Sequence, residues 1–287
     1  MYRLLGQVFN QKGELRTNQY LFNFEHTSEI DNVGLVVIDN LFRCIKNGGF
    51  ESRLTAMPSL PATMAGLLNK QHDPLKSENE MDETIASENH FRFFRISANQ
   101  YEDWLSKSFS NWLARALYIS SLVVAPHALL FKGIFENVEQ YAGVDWVSIS
   151  CSYNPEQSEV SLIVADAGIG IPSMVREYCG ETFSDEVAIA KAIETICDTS
   201  AKEPRRGEGG LGKLIRKIVD HRLGRVVITS GFGRLHCYPT LGGKVHRFEP
   251  ANAFLPGTLI EIIFSVELLG YATTLNEPLS KVDFSLK

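Results

Sequence analysis

The sequence predicts an α/β protein, and three segments carry that expectation. Across residues 159–165, Val160, Leu162 and Val164 alternate with Ser161 and Ile163 in the two-residue period of a strand. Beyond residue 210, Leu211, Leu214, Ile215, Ile218 and Val219 recur at helical spacing, and Gly224 supplies the stop. Residues 126–141 read as a half-buried helix with Pro126 in its first turn, where a missing N–H costs little. Leu130, Ile134, Asn137 and Tyr141 share one stripe of that helix, so an amide interrupts an otherwise apolar face.

In chain order, residues 20–25 read as a strand, 34–45 as a helix, Gly48-Gly49 as a turn, 51–57 as a strand and 62–68 as a helix. That alternation predicts a small α/β domain over residues 1–75. Residues 76–90 hold five acidic side chains and little apolar content, so 76–99 reads as a linker followed by a connecting strand at 91–97. Trp104, Leu105, Phe109, Trp112, Leu113 and Leu117 then recur at helical spacing, a stripe suited to core packing, to docking of the two units or to pairing of subunits. A main domain is expected over residues 100–268, with 269–287 as a tail. Inside it, 173–206 reads as a lid with a helix at 185–196, and 225–231, 234–238 and 244–248 as successive strands turned at Gly242-Gly243. A last strand covers 256–264.

Two glycine boxes bear the chemistry. Asp166-Ala-Gly168-Ile-Gly170-Ile-Pro172 closes a strand; a carboxylate there accepts from an exocyclic amine such as that of adenine, while glycines let the backbone turn beside a flat ring. A ligand-free β-turn has the same appearance. Gly207-Glu-Gly209-Gly210-Leu211-Gly212-Lys213 opens a helix, and free N–H groups at a helix start favour phosphate. Its glycines also spell a dinucleotide fingerprint, yet residues 199–206 before them are no strand. A P-loop fails as well, because Leu214 stands where Mg2+ needs a hydroxyl. The amide oxygen of Asn137 is a hard-cation ligand when phosphates are near, or a plain buried amide bonded to backbone.

In this order, Asn137, Asp166-x-Gly168-x-Gly170, Gly207-x-Gly209-Gly-Leu-Gly212 and the strand 256–264 resemble the GHKL superfamily, the ATP-binding domains of histidine kinases, anti-sigma-factor serine kinases, gyrase and MutL. The resemblance covers about residues 100 to 268. It implies a two-layer α/β sandwich of the Bergerat type, with helices on one face of a mixed sheet and ATP between sheet and lid. By that likeness Asn137 holds Mg2+, Asp166 takes the adenine amine, and Gly168, Gly170 and Ile171 meet the base edge. Gly207, Gly209, Gly210, Leu211, Gly212 and Lys213 take the phosphates, Thr258 shares a water with Asp166, and Tyr141 completes the nucleotide set. Residues 1–75 loosely resemble, in layout, the STAS-like domains of anti-sigma antagonists.

One departure bears on catalysis. Where the family places a glutamate as general base, one turn before Asn137, this chain has Gly133. Glu136 lies about 100° away around the helix, so it is a candidate base only with altered geometry. The expected function is therefore an Mg-ATP-binding signalling protein acting as a nucleotide-dependent partner switch with weak or no catalysis. An active ATPase or serine/threonine kinase, with its base from Glu136, Glu139 or a partner chain, is the alternative.

Composition sets the bounds. With 44% hydrophobic and 22% charged residues, the chain is ordinary globular material. A net charge of −6 without a basic block speaks against a nucleic-acid surface. Five cysteines without a CxxC pair suit a reducing cytoplasm. The longest apolar stretch, 117–131, is broken by Ser, Pro and His, so no membrane span is expected. Expected partners are ATP or ADP, a protein met through the N-terminal domain, and a second copy in a homodimer.

Overall fold

A computed structural model describes residues 2–17, 19–23, 30–55, 91–180, 182–194 and 210–271. Five strands form one sheet: β3 (Phe91–Ser97), β4 (Trp146–Asn154), β5 (Glu159–Asp166), β6 (Gly224–Thr240) and β7 (Gly243–Ser265), in the order β3-β4-β5-β7-β6. The α/β sandwich is as the sequence predicts. Its sheet was expected to be mixed, but every described pair in it is antiparallel: β4–β5 and β6–β7 are joined by short turns, and the longer helical connections from β3 to β4 and from β5 to β6 also place β3 and β6 antiparallel to their neighbours.

Strand alternation builds the main core. Val147, Ile149 and Cys151 of β4, Val160, Leu162 and Val164 of β5, and Ile260, Ile262 and Phe264 of β7 face one side, where the helices lie. Against them pack Trp104, Leu105, Phe109, Trp112 and Leu113, so the aromatic stripe of residues 101–120 is core. It runs from a 3-10 turn (Ala98–Gln100) through a π-helical stretch (Trp104–Phe109) into the helix Ser110–Leu117.

The opposite sheet face is covered by the N-terminal residues. They form α1 (Tyr2–Val8), β1 (Gln19–Asn23), α2 (Asn32–Asn47) and β2 (Glu51–Thr55), with β1 and β2 paired in parallel. The Asp31 side chain caps α2 by accepting the Gly34 N–H at 2.6 Å. Leu35, Val36, Leu41, Phe42 and Ile45 of α2 pack with Ile163, Ala165, Leu255 and Leu259 of the sheet. Polar links fix the docking: Asn32 donates to the Ser152 hydroxyl at 2.8 Å, and buried Asp39 accepts from Ser148. The helix expected at 62–68 lies outside the described residues.

Other elements depart from the sequence reading. Pro126 does not open its helix; α4, counting Ser110–Leu117 as α3, runs Ser121–Ala128 and is capped by Ser120, which accepts the Leu122 N–H at 3.3 Å. Pro126 inside it lacks the N–H that would sustain the ladder, and the helix passes into a 3-10 turn (Leu129–Phe131). A separate α5 (Lys132–Asn137) and a π-helical turn (Val138–Ala142) follow. The segment expected as lid begins with α6 (Ile171–Cys179), which has Pro172 in its first turn and was not foreseen; α7 follows at Asp185–Glu194. The phosphate-box helix is α8 (Gly210–Ile215), extended by a π-helical turn (Arg216–Asp220). Residues 225–231 and 234–238 are one strand, β6, bulged between Ser230 and Gly233. Residues 244–248 and 256–264 likewise belong to β7. The hairpin pairs Thr240 with Gly243, leaving Leu241-Gly242 as a two-residue turn. Among the described residues, no helix is long and apolar enough to cross a membrane.

Candidate functional site

Asp166 ends β5 beside the last turn of the helical layer. It pairs in register with Thr258 of β7, which offers its carboxylate a backbone N–H and a hydroxyl. The Gly168 N–H donates to Asp166 Oδ1 at 2.8 Å. Asp166 is only 4% exposed, and burial outweighs these bonds, pushing its carboxyl up to about 6.

Two tight turns flank it. Gly170 has φ +78°, and a Cβ there would come within 2.8 Å of Ser230 Oγ. Gly257 has φ +71°, and a Cβ would collide with the Asp166 carbonyl oxygen. Both positions demand glycine for conformation and for space. Gly168 and Gly212 are packed differently: the first abuts the Ala142 carbonyl, and a Cβ on the second would lie 2.5 Å from the Ile193 carbonyl oxygen. Each has a packing reason that needs no ligand.

A small cavity of about 70 Å3, open to solvent on one side, lies above Asp166. Its polar groups are Asp166, Thr258, Asn137 and Tyr141; Ile134, Val138, Ile171, Met174, Leu211 and Ile260 make its apolar walls. The structure thus brings Asn137, Tyr141, Asp166, Gly170, Ile171, Leu211 and Thr258 to one cavity. Tyr141 stands at the rim, 40% exposed. Gly210 starts α8, whereas Gly207 and Gly209 lie outside the described residues. Lys213 is exposed on α8 and Glu136 on α5 is half-buried; neither lines the cavity. Glu136 instead pairs with Lys132 at 3.5 Å, and Lys132 with Glu102 at 2.5 Å. Gly133 is buried on α5.

The sequence reading missed Met174, Ser230 and Gly257. Gly257 carried a signal, a glycine directly before Thr258 in a strand; Ser230 carried none, since its role depends on a bulge. An apolar slot with one carboxylate at its floor suits a flat heteroaromatic ring bearing an N–H donor. Among the described residues, no cluster of three or more His, Cys, Asp or Glu is placed to hold a metal ion.

Comparison with protein-family models and with curated proteins gives no match. Among solved structures, a local likeness exists to the B subunit of DNA gyrase from Myxococcus xanthus, at 14% identity and a TM-score of 0.23. The match covers 50% of this chain and 37% of the gyrase chain, well under two thirds of the latter. Likeness of that extent assigns this chain no ligand and no activity.

Proposed function

We propose that this protein binds an adenine nucleotide with Mg2+ and uses it as a regulatory ligand, in the manner of the GHKL superfamily it resembles in sequence. The observation that carries the reading is the buried Asp166 carboxylate, held by Thr258 and Gly168 at the floor of an otherwise apolar cavity. An ionised carboxylate accepts the adenine amine there, and guanine, with a carbonyl at the corresponding place, offers no donor. Ile134, Val138, Met174 and Ile260 enclose the ring and keep water away.

Asn137 stands on the same cavity and fits a magnesium ion that arrives with phosphates, since such an ion takes one or two protein oxygens and completes its shell from phosphate and water. When bound, Mg2+ neutralises phosphate charge; Asn137 orients it. The start of α8 beside Leu211 is where phosphates would meet free N–H groups.

Weak catalysis belongs to the same proposal. The cavity-facing stripe of α5 carries no carboxylate, and Glu136 is tied to Lys132 outside the lining. For regulation, α2 packs behind β5 and β7, the strands that carry Asp166 and Thr258, so a protein bound to the N-terminal elements has a short mechanical route to the cavity. Calorimetric titration with ATP, ADP and GTP tests the reading: binding of ATP and ADP with GTP at least tenfold weaker is expected. Absence of ATP binding, or equal affinity for GTP, overturns it.

A further inference from the structure

The bulge in β6 places one hydroxyl between the two turns that frame Asp166. Ser230 is fully buried; its Oγ accepts the Ile171 N–H at 3.0 Å and lies 2.7 Å from the Gly257 carbonyl oxygen. Proton counting fixes the direction of this chain. The Gly257 carbonyl can only accept and is the nearer contact, whereas Thr258 Oγ1 lies at 3.5 Å. The single Ser230 proton therefore goes to Gly257 O, and its lone pair receives Ile171 N–H. One oxygen ties the start of α6, which supplies Ile171 and Met174 to the cavity, to the turn preceding Thr258.

The same bulge holds α6 at a second point. Asp185 accepts the Phe232 N–H at 2.5 Å and pairs with Arg176 of α6, while Arg176 also donates through Nε to the Phe183 carbonyl at 2.9 Å. Helix α6 is thus anchored at Ile171 by Ser230 and near its other end by Asp185.

We propose that Ser230 is a positioning residue for the base end of the cavity, setting the distance between the Gly170 and Gly257 turns on either side of Asp166. The geometry stands without a ligand; only the nature of the ligand rests on the nucleotide reading.

The test uses Ser230→Ala, and Ser230→Thr, which keeps a hydroxyl, in two measurements on the full chain. Hydrogen exchange is followed at the Ile171 amide and, for reference, at Val160 to Val164 of β5. Titrations with adenosine, ATP and inorganic tripolyphosphate give affinities. Ser230→Ala is expected to speed exchange at Ile171 by tenfold or more while β5 amides hold, and Ser230→Thr to restore protection. Adenosine and ATP should each bind about tenfold more weakly to Ser230→Ala, the scale of one lost buried hydrogen bond, with tripolyphosphate unchanged. Unchanged exchange at Ile171 overturns the proposal, as does equal acceleration across β5, which marks a general loss of stability. If wild type binds no adenosine, the nucleotide reading falls while the exchange result still decides the role of Ser230.

Discussion

Thr258 faces Asp166 directly across the β5–β7 register and gives its carboxylate two hydrogen bonds, yet the carboxyl stays up at about 6 because burial dominates. The ligand-free site is therefore under electrostatic tension at neutral pH. A partner that donates to Asp166 relieves it, which links stability and binding with opposite signs.

The stability consequence follows by linkage. An acid whose folded pKa is raised from 3.8 to about 6 binds its proton more tightly in the folded state, so its contribution is present in full below about pH 4 and is lost as pH rises to about 6. The loss is on the order of 3 kcal/mol. Denaturant unfolding of ligand-free protein at pH 4, 5, 6 and 7 should show Asp166→Asn gaining on wild type over that window. Parallel pH profiles would remove the raised carboxyl.

Binding runs the other way. An amine donor favours the ionised form, so ATP affinity should rise as pH increases through about 6, with proton release at pH 6. Asp166→Asn should weaken ATP by about 1–3 kcal/mol through loss of a charge-assisted bond, even though the ligand-free variant is the more stable protein at pH 7. Calorimetry in two buffers of different ionisation enthalpy reads both quantities. Pure destabilisation without a binding defect contradicts the assignment.

Gly257→Ala isolates the close approach of β7 to Asp166. Its φ of +71° costs a side chain about 1–2 kcal/mol, and the added Cβ would also strike the Asp166 carbonyl. Gly143→Ala is the control, since φ there is +69° and nothing lies within 4 Å of the added atom. Thermal unfolding should place Gly257→Ala well below Gly143→Ala, and only the former should lose nucleotide. Equal melting points would show that the clash relaxes freely.

What the sequence made legible was whatever rests on local pattern. The alternation at Val160, Leu162 and Val164 and the helical recurrence after Gly210 gave correct elements, and of the residues grouped from motifs Asn137, Tyr141, Asp166, Gly170, Ile171, Leu211 and Thr258 line one cavity, whereas Gly168, Gly210, Gly212, Lys213 and Glu136 do not. Illegible were features set by tertiary contact. Pro126 signals a first turn only until Ser120 captures the helix start six residues earlier. The strands of β6 read as two because Gly231 and Gly233 suggest a break, whereas they accommodate Asp185 at a bulge. That α2 covers the second sheet face depended on Asp39 meeting Ser148, a contact spanning more than a hundred residues.

Asn137→Ala separates metal from fold. The substitution removes one amide oxygen from the cavity but places a better helix former at the end of α5, so thermal stability should hold within about 1 kcal/mol. The ATP affinity gained on adding Mg2+ should shrink, while affinity measured in chelator stays near wild type. If instead the variant melts early and loses affinity equally in both conditions, Asn137 serves the fold.

Catalysis turns on α5. Gly133 is buried one turn before Asn137, and the carboxylate that α5 does carry, Glu136, pairs with Lys132 and does not line the cavity. General-base assistance is worth about 10²–10⁴ in rate, so wild-type ATP turnover should be slower than an assisted reaction by about that factor. Glu136→Gln should leave it unchanged, because the group pairs with Lys132 and does not line the cavity. Gly133→Glu puts a carboxylate on the correct stripe and should raise turnover, provided the buried position on α5 admits the longer side chain. Phosphate release and label transfer by the three proteins decide the matter. Fast wild-type turnover that collapses in Glu136→Gln would make the protein an active ATPase or kinase with Glu136 as its base, through a rearrangement of α5 that frees Glu136 from Lys132.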